Sequence, residues 1–161
     1  MHIYYTTYDT RRGRDLIKLQ MGKCDIITPS REVEGPENGD PMHPFWYARV
    51  VGIYHAMVAL DAGLPTRMEF LLVRWFATVE EAPGGWNYRC MDQVGFQEPV
   101  SRQLGFLDPA NVIRACHLIP NWHYGVHPMP LHSVFTLQNE LEGCDYQFYF
   151  VNRYGPQNLQ M

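Results

Sequence analysis

A chain of 161 residues, 46% hydrophobic and 19% charged, can bury one real core and is too short for two comfortable ones, so a single domain over 1–161 is expected. Its formal charge of −4 excludes the broad basic field by which non-specific DNA binders displace counterions, and no apolar run approaches the roughly 18 residues of a membrane helix. Aromatic residues at 14% tilt the composition toward a mainly β, aromatic-packed domain and away from a helical bundle or a disordered tail.

Ile3 to Tyr8 is β-branched and aromatic and predicts an early strand, broken by turn chemistry at Asp9-Thr10-Arg11-Arg12-Gly13. Arg11, Arg12 and Arg14 form a local basic cluster, read either as a solvated basic turn or as a phosphate contact. Residues 28–44 gather Pro29, Pro36, Pro41, Pro44, Gly35, Gly39 and Asn38 and predict a loop. From Trp46 to Ala59 nearly every position is apolar or aromatic, the pattern of a strand covered on both faces or bent at Gly52. Met68 to Phe76 alternates in the same way, and Asp61-Ala62-Gly63-Leu64-Pro65 lies between the two runs. A central hairpin of 46–59 with 67–76 follows. Pro83-Gly84-Gly85 marks a turn, after which Trp86 to Phe96 predicts one or two short strands. Asp108-Pro109 is a helix start, an aspartate cap followed by proline at the first helical position, leading through one helical turn into a strand from Arg114 to Ile119 that Pro120 ends. Asn121 to Pro130 reads as irregular. In the tail, Tyr146, Phe148 and Phe150 alternate as in a strand, while Tyr146, Tyr149, Phe150 and Arg153 fit a helical face; strand is the preferred reading.

Three strand-like runs of this kind, with no phosphate loop or metal motif, describe a small β-barrel built for recognition. Cys24, Cys90, Cys116 and Cys144 lie apart without a C-x-x-C pair, and Met1 to Tyr5 lacks the basic and apolar regions of a signal peptide. An intracellular, reduced chain is expected, folding without disulfide or cofactor. Cys116, His117, His123 and His127, with His132 beyond them, are the densest set of potential zinc ligands. His123 and His127 have half of the usual paired spacing and the other half is missing, so no metal is expected. Cys116 and His117 are neighbours on a strand and point to opposite faces, which prevents the histidine from activating the thiol. Asp9, Asp61, Asp92 and Asp108 sit in turn-like contexts and not on the alternating strand and helix units of a nuclease carboxylate set. The expectation is therefore a non-enzymatic binding module.

Two resemblances add to this. Trp46-Tyr47-Ala48-Arg49-Val50-Val51-Gly52-Ile53, Val73-Arg74-Trp75-Phe76 and Asp108 to His117 resemble the successive "ARI-x-x-I", "V-x-WF" and "I-x-x-KC-x-V" strands of bromo-adjacent homology (BAH) domains, and Glu80 and Glu81 follow the Trp-Phe pair at a similar distance. The whole chain also resembles proteins encoded near or within fungal DNA transposons of the Plavaka and KDZ type, through Tyr5 to Arg12, His43 to His55, Met68 to Phe76, Asp92 to Phe96, Gly105 to Pro120 and Phe148 to Arg153. That group brings no assigned chemistry.

The BAH resemblance implies a single twisted, partly open β-barrel with an SH3-like core and short helical turns, in a nuclear, chromatin-associated protein. Some BAH domains hold a methylated lysine of a histone tail in an aromatic cage. Carried onto this chain, the resemblance implies Trp75 as one ring, Trp46 or Tyr47 as a second, and Glu80 or Glu81 as the carboxylate. Ala77 stands where a further ring is often found, so the implied cage is incomplete. The implied partner is a histone tail or another chromatin protein. Two other readings are a nucleic-acid-binding accessory domain using Arg11, Arg12 and Arg14 with Arg49, Arg74 or Arg114, and a protein-interaction scaffold without a small ligand. No membrane partner is expected.

Overall fold

The computed structural model describes residues 1–6, 12–19, 24–30, 43–59, 63–79, 84, 89–99, 102–127 and 145–152. The chain is mainly β, and the helical elements among these residues are short 3-10 turns. Two compact units form, Met1–Phe76 with Gln97–Ala115, and Ala77–Phe96 with Cys116–Met161.

In the first unit, β1 (His2–Thr6) and β2 (Arg12–Leu16) form an antiparallel hairpin running from His2↔Leu16 to Thr6↔Arg12. The early strand expected from Ile3 is present. Arg12 and Arg14, expected in a turn, lie instead on β2 and are exposed on it. Two contacts hold them in extended backbone. Ile3 and Ile17 are buried at the ends of the pair, and Tyr5 lays its ring across Gly13, where an added Cβ would stand 2.5 Å from Tyr5 Cε2. A side chain there would have to displace the Tyr5 ring, so the glycine serves the hairpin and does not break it.

The larger sheet of this unit joins β3 (Cys24–Pro29), β4 (Phe45–Val58), β5 (Thr66–Thr78) and β7 (Leu104–Leu107). All three pairings are antiparallel: Cys24↔Val50 to Pro29↔Phe45, Tyr47↔Phe76 to Val58↔Thr66, and Leu71↔Leu107 to Arg74↔Leu104. The expected central hairpin is therefore β4–β5. Its register shifts between Val50 and Gly52, leaving Val51 as a bulge. β3 and β7 were not expected. Thr28 and Pro29, assigned to a loop, close β3, and proline is tolerated there because it is the strand's last residue.

The register sorts side chains onto two faces. One carries Ile26, Ala48, Val50, Leu71, Val73 and Leu107, which pack with Ile3, Ile17 and Val112 into the core of the unit. The other carries Arg49 and Arg74, directly opposite each other on β4 and β5 and only 8% and 4% exposed. Two like charges facing one another in low dielectric repel, so each needs its own partner. Arg49 Nε donates to Asp25 Oδ1 at 2.8 Å, its guanidinium lying over the Phe76 ring at 5.4 Å. Arg74 Nε donates to Gln103 Oε1 at 2.9 Å. Arg114 lies over the Tyr5 ring at 4.8 Å. Arg49, Arg74 and Arg114, offered as phosphate contacts, thus face protein groups.

After β7, Asp108 caps a 3-10 turn at Pro109–Asn111 by accepting from Ala110 N at 2.9 Å, which is the expected helix start, one turn long. β8 (Arg114–Pro120) follows.

In the second unit, β9 (Phe148–Asn152) pairs antiparallel with β6 (Gln93–Phe96) and with β8, so the tail is a strand. Val94, Phe96, Leu118, Tyr149 and Val151 are its buried apolar residues. Asn121 caps a 3-10 turn at Trp122–Tyr124 within the segment expected to be irregular.

Two outcomes follow from these contacts. Asp25→Asn removes the carboxylate that pairs with the buried Arg49 guanidinium and is expected to destabilise the fold by about 3–5 kcal/mol in urea unfolding. The Tyr5 phenol is raised above its ordinary value, first by burial and then by the Asp15 carboxylate to which it donates at 3.2 Å, with Arg114 acting in the opposite direction. The folded chain therefore holds this proton more tightly than the unfolded one. Its contribution to stability is complete below the unfolded phenol value of about 10 and is lost as pH rises through the folded value. Tyr5→Phe should flatten the alkaline fall of the urea midpoint between pH 9 and 11 (roughly the titration window), compared with wild type.

Candidate aromatic site

β4 and β5 place Trp46 and Trp75 on one face. Ala48 lies opposite Trp75, and Trp46, two residues before Ala48, takes the diagonal position on the same side. Both rings are half-buried. Their centroids are 5.7 Å apart with an interplanar angle of 75°. The Trp75 backbone is held on both sides, its N–H donating to Gln103 O at 2.6 Å and its carbonyl accepting from Gln97 N at 3.2 Å. The indole leans over β7 at Gly105, where a Cβ would stand 2.5 Å from Nε1. Only glycine leaves room for the ring in this position.

A cation centred about 4 Å in front of each of two perpendicular rings, within the ~6 Å reach of cation–π attraction, puts their centroids roughly 5.7 Å apart. The tryptophan pair has that spacing, which is also the spacing of an ordinary edge-to-face aromatic pair. What it can do chemically is hold a poorly hydrated organic cation in a two-walled corner.

Tyr47, the other candidate for a second wall, is corrected by the structure. It is 1% exposed, stands on the face opposite Trp46 by strand alternation, and packs its ring 5.6 Å from His43. It is a core residue. Glu80, Glu81 and Arg11 lie outside the described residues, as does His132. Arg12 and Arg14 are exposed on β2. His117 and His123 are exposed, and Cys116 and His127 half-buried. His123 meets the Tyr124 ring edge-on at 5.1 Å and His127 meets Phe96 at 5.8 Å. Among the described residues no three histidine, cysteine or carboxylate side chains come together as a metal site.

Sequence reasoning missed a row of rings across three strands. Tyr54 on β4 stacks on Phe70 of β5 at 5.7 Å, and Phe70 meets Phe106 of β7 edge-on at 5.4 Å. Phe106 is 72% exposed. The first pair follows from the β4–β5 register, and the signal for the third ring was Leu104-Gly105-Phe106-Leu107 itself, a run of four residues too short to show a strand pattern.

Protein-family models, curated proteins and solved structures were each compared with the chain, and none matches it.

The contrast between the two β4 aromatics is measurable. Tyr47→Ala should cost about 3–5 kcal/mol, as emptying a core site does, while Trp46→Ala, half-exposed, should cost less than half as much in the same unfolding experiment.

Proposed function

We propose that the chain is a non-enzymatic protein-binding module whose Trp46–Trp75 corner holds a methylated lysine on the tail of a chromatin protein such as a histone, in the nucleus. The observation that carries this reading is the spacing and near-perpendicular setting of the two half-buried indoles. A methylammonium keeps its charge but sheds water easily, and each ring face attracts it by about 0.5–2 kcal/mol. The formal charge of −4 favours a basic tail over phosphate. The likeness of these strands to BAH readers points the same way. With Tyr47 in the core and Ala77 in place of a further ring, two walls are what the described residues offer. The corner then contributes about 1–3 kcal/mol in total, and the residues flanking the lysine supply the rest.

Calorimetry with matched trimethyl-lysine and unmodified peptides tests it. The methylated peptide should bind roughly 5- to 150-fold more tightly, the equivalent of those energies, and Trp46→Ala should abolish the difference while the protein stays folded. Equal binding of both peptides by the wild type overturns the reading. An interaction scaffold working through the exposed Tyr54–Phe70–Phe106 row would then take its place.

A further inference from the structure

The arm that β4 and β5 form beyond Gly52 and Leu72 has an open edge on β5. β4 pairs with one side of β5 down to Thr66, while on the other side β7 reaches only as far as Leu71. Asp108, which caps the turn at Pro109–Asn111, takes the chain out of the sheet there. Thr66 to Phe70 are left with no described strand on that side, and no described backbone group outside the β4 pairing bonds to them. Thr66, Arg67, Met68 and Glu69 are exposed and Phe70 is half-buried. Pro65, which has no N–H, bounds the open stretch at its far end.

The charges along this edge say what fits it. Arg67 and Glu69 flank Met68, the middle residue of the stretch, and share one face by alternation. They bond to each other at 3.0 Å with side chains 60% and 61% exposed. Charged residues on an edge usually keep other strands away. Here the two are of opposite sign, and the same edge run in reverse answers both. A two-fold axis at Met68 sets Arg67 opposite Glu69, Glu69 opposite Arg67, Met68 opposite Met68 and Thr66 opposite Phe70. Centring the pair on Arg67 or on Glu69 would set a charge against itself, which disfavours those registers.

The other face agrees with this register. Thr66, Met68 and Phe70 lie beside Val58, Ala56 and Tyr54, and the axis continues that apolar surface from one copy into the next. Met68 is 53% exposed and Tyr54 48%. The same axis brings Leu64 of each copy towards the end of β7 in the other, where Phe106 stands. These are the two most exposed large apolar side chains among the described residues, at 91% and 72%.

We infer that the chain forms a two-fold dimer in which the β5 edges at Thr66–Phe70 pair antiparallel about Met68 and join the two arms into one sheet. A two-stranded arm is marginally stable alone, and the dimer makes it half of a four-stranded one. The interface is small, so monomer and dimer exchange, with a Kd of roughly 1–100 µM. The dimer requires neither the indole pair nor a lysine peptide, and its test is separate from that of the proposed function.

Sedimentation of the full chain over a range of concentrations provides the test. Glu69→Arg makes both flanking charges positive and Arg67→Glu makes both negative, so each variant alone should self-associate at least ~10-fold more weakly than wild type. Mixing the two variants restores opposite charges at both contacts and should return a heterodimer of nearly wild-type affinity. The chain carrying both substitutions exchanges the signs, keeps the pattern and should dimerise as wild type does. Urea midpoints should be unchanged throughout, both side chains being exposed. Met68→Cys checks the register independently of charge: directly opposed residues stand roughly 4.5–5.5 Å apart at Cα, within disulfide reach, and mild oxidation should link the two introduced thiols. A wild type that stays monomeric up to about 1 mM, a dimer indifferent to the single charge reversals, or a mixture of the two variants that associates no better than either alone overturns the inference. Peptide mapping that finds no link at position 68 overturns the register.

Discussion

The antiparallel pairing of β4 with β5 is the constraint on which the first unit depends. It fixes a single register from Tyr47↔Phe76 to Val58↔Thr66, with one shift at Val51. A slip of one residue would exchange the two faces of one strand relative to the other. Arg49 or Arg74 would then enter the apolar core, and the apolar residues of that strand would meet Asp25 or Gln103. The cost of burying unpaired guanidinium groups forbids that arrangement. The buried charged face therefore specifies the register more sharply than the apolar face could, since one aliphatic residue substitutes for another far more readily than an arginine substitutes for a valine.

The same register decides which aromatic residues share a face. Trp46 and Trp75 fall together because Ala48 sits opposite Trp75, and Tyr47 and Phe76 fall together on the other side. Closeness in sequence is misleading here: Tyr47 is adjacent to Trp46 and shares nothing with its surroundings. The corner is then completed from a distance by Gly105, whose missing side chain lets the Trp75 indole lie over β7. The two indoles thus come from one hairpin, and the clearance for one of them comes from a third strand.

Much of this was legible. The two long apolar runs around a Gly-Pro turn announce the hairpin, and Asp108-Pro109 announces its cap. Trp75 was legible as a candidate as well. Alternation along β4 narrows the second wall to Trp46 or Tyr47 and stops there, because the choice depends on the register against β5 and hence on the Val51 bulge. The fate of Arg49 was not legible. Its partner Asp25 lies 24 positions earlier, on a strand of six residues that ends in proline and runs into a proline-rich stretch, so local pattern gave no reason to place it in a sheet. β7 escaped notice for a related reason. Four residues with glycine among them carry too little pattern to outweigh glycine's association with turns.

The exposed rings of the hairpin arm show why aromatic exposure alone is a weak sign of binding. Beyond Gly52 and Leu72 the two strands lose the core on their outer face, and a two-stranded ribbon is only marginally stable by itself. Stacking Tyr54 on Phe70 and Phe70 on Phe106 contributes about 0.5–1.5 kcal/mol per pair beyond the area buried, enough to hold the arm's register where the core no longer does. Those rings already have a structural use. The indoles differ in this respect. Trp75 packs against the core along one side, its backbone is fixed through Gln97 and Gln103, and Trp46 meets it nearly at a right angle. Neither ring is needed to keep β4 and β5 in register, since Arg49, Asp25 and the aliphatic core already do so. The indole pair stands in a stretch of sheet that is otherwise secured, and this is what singles it out as the candidate site.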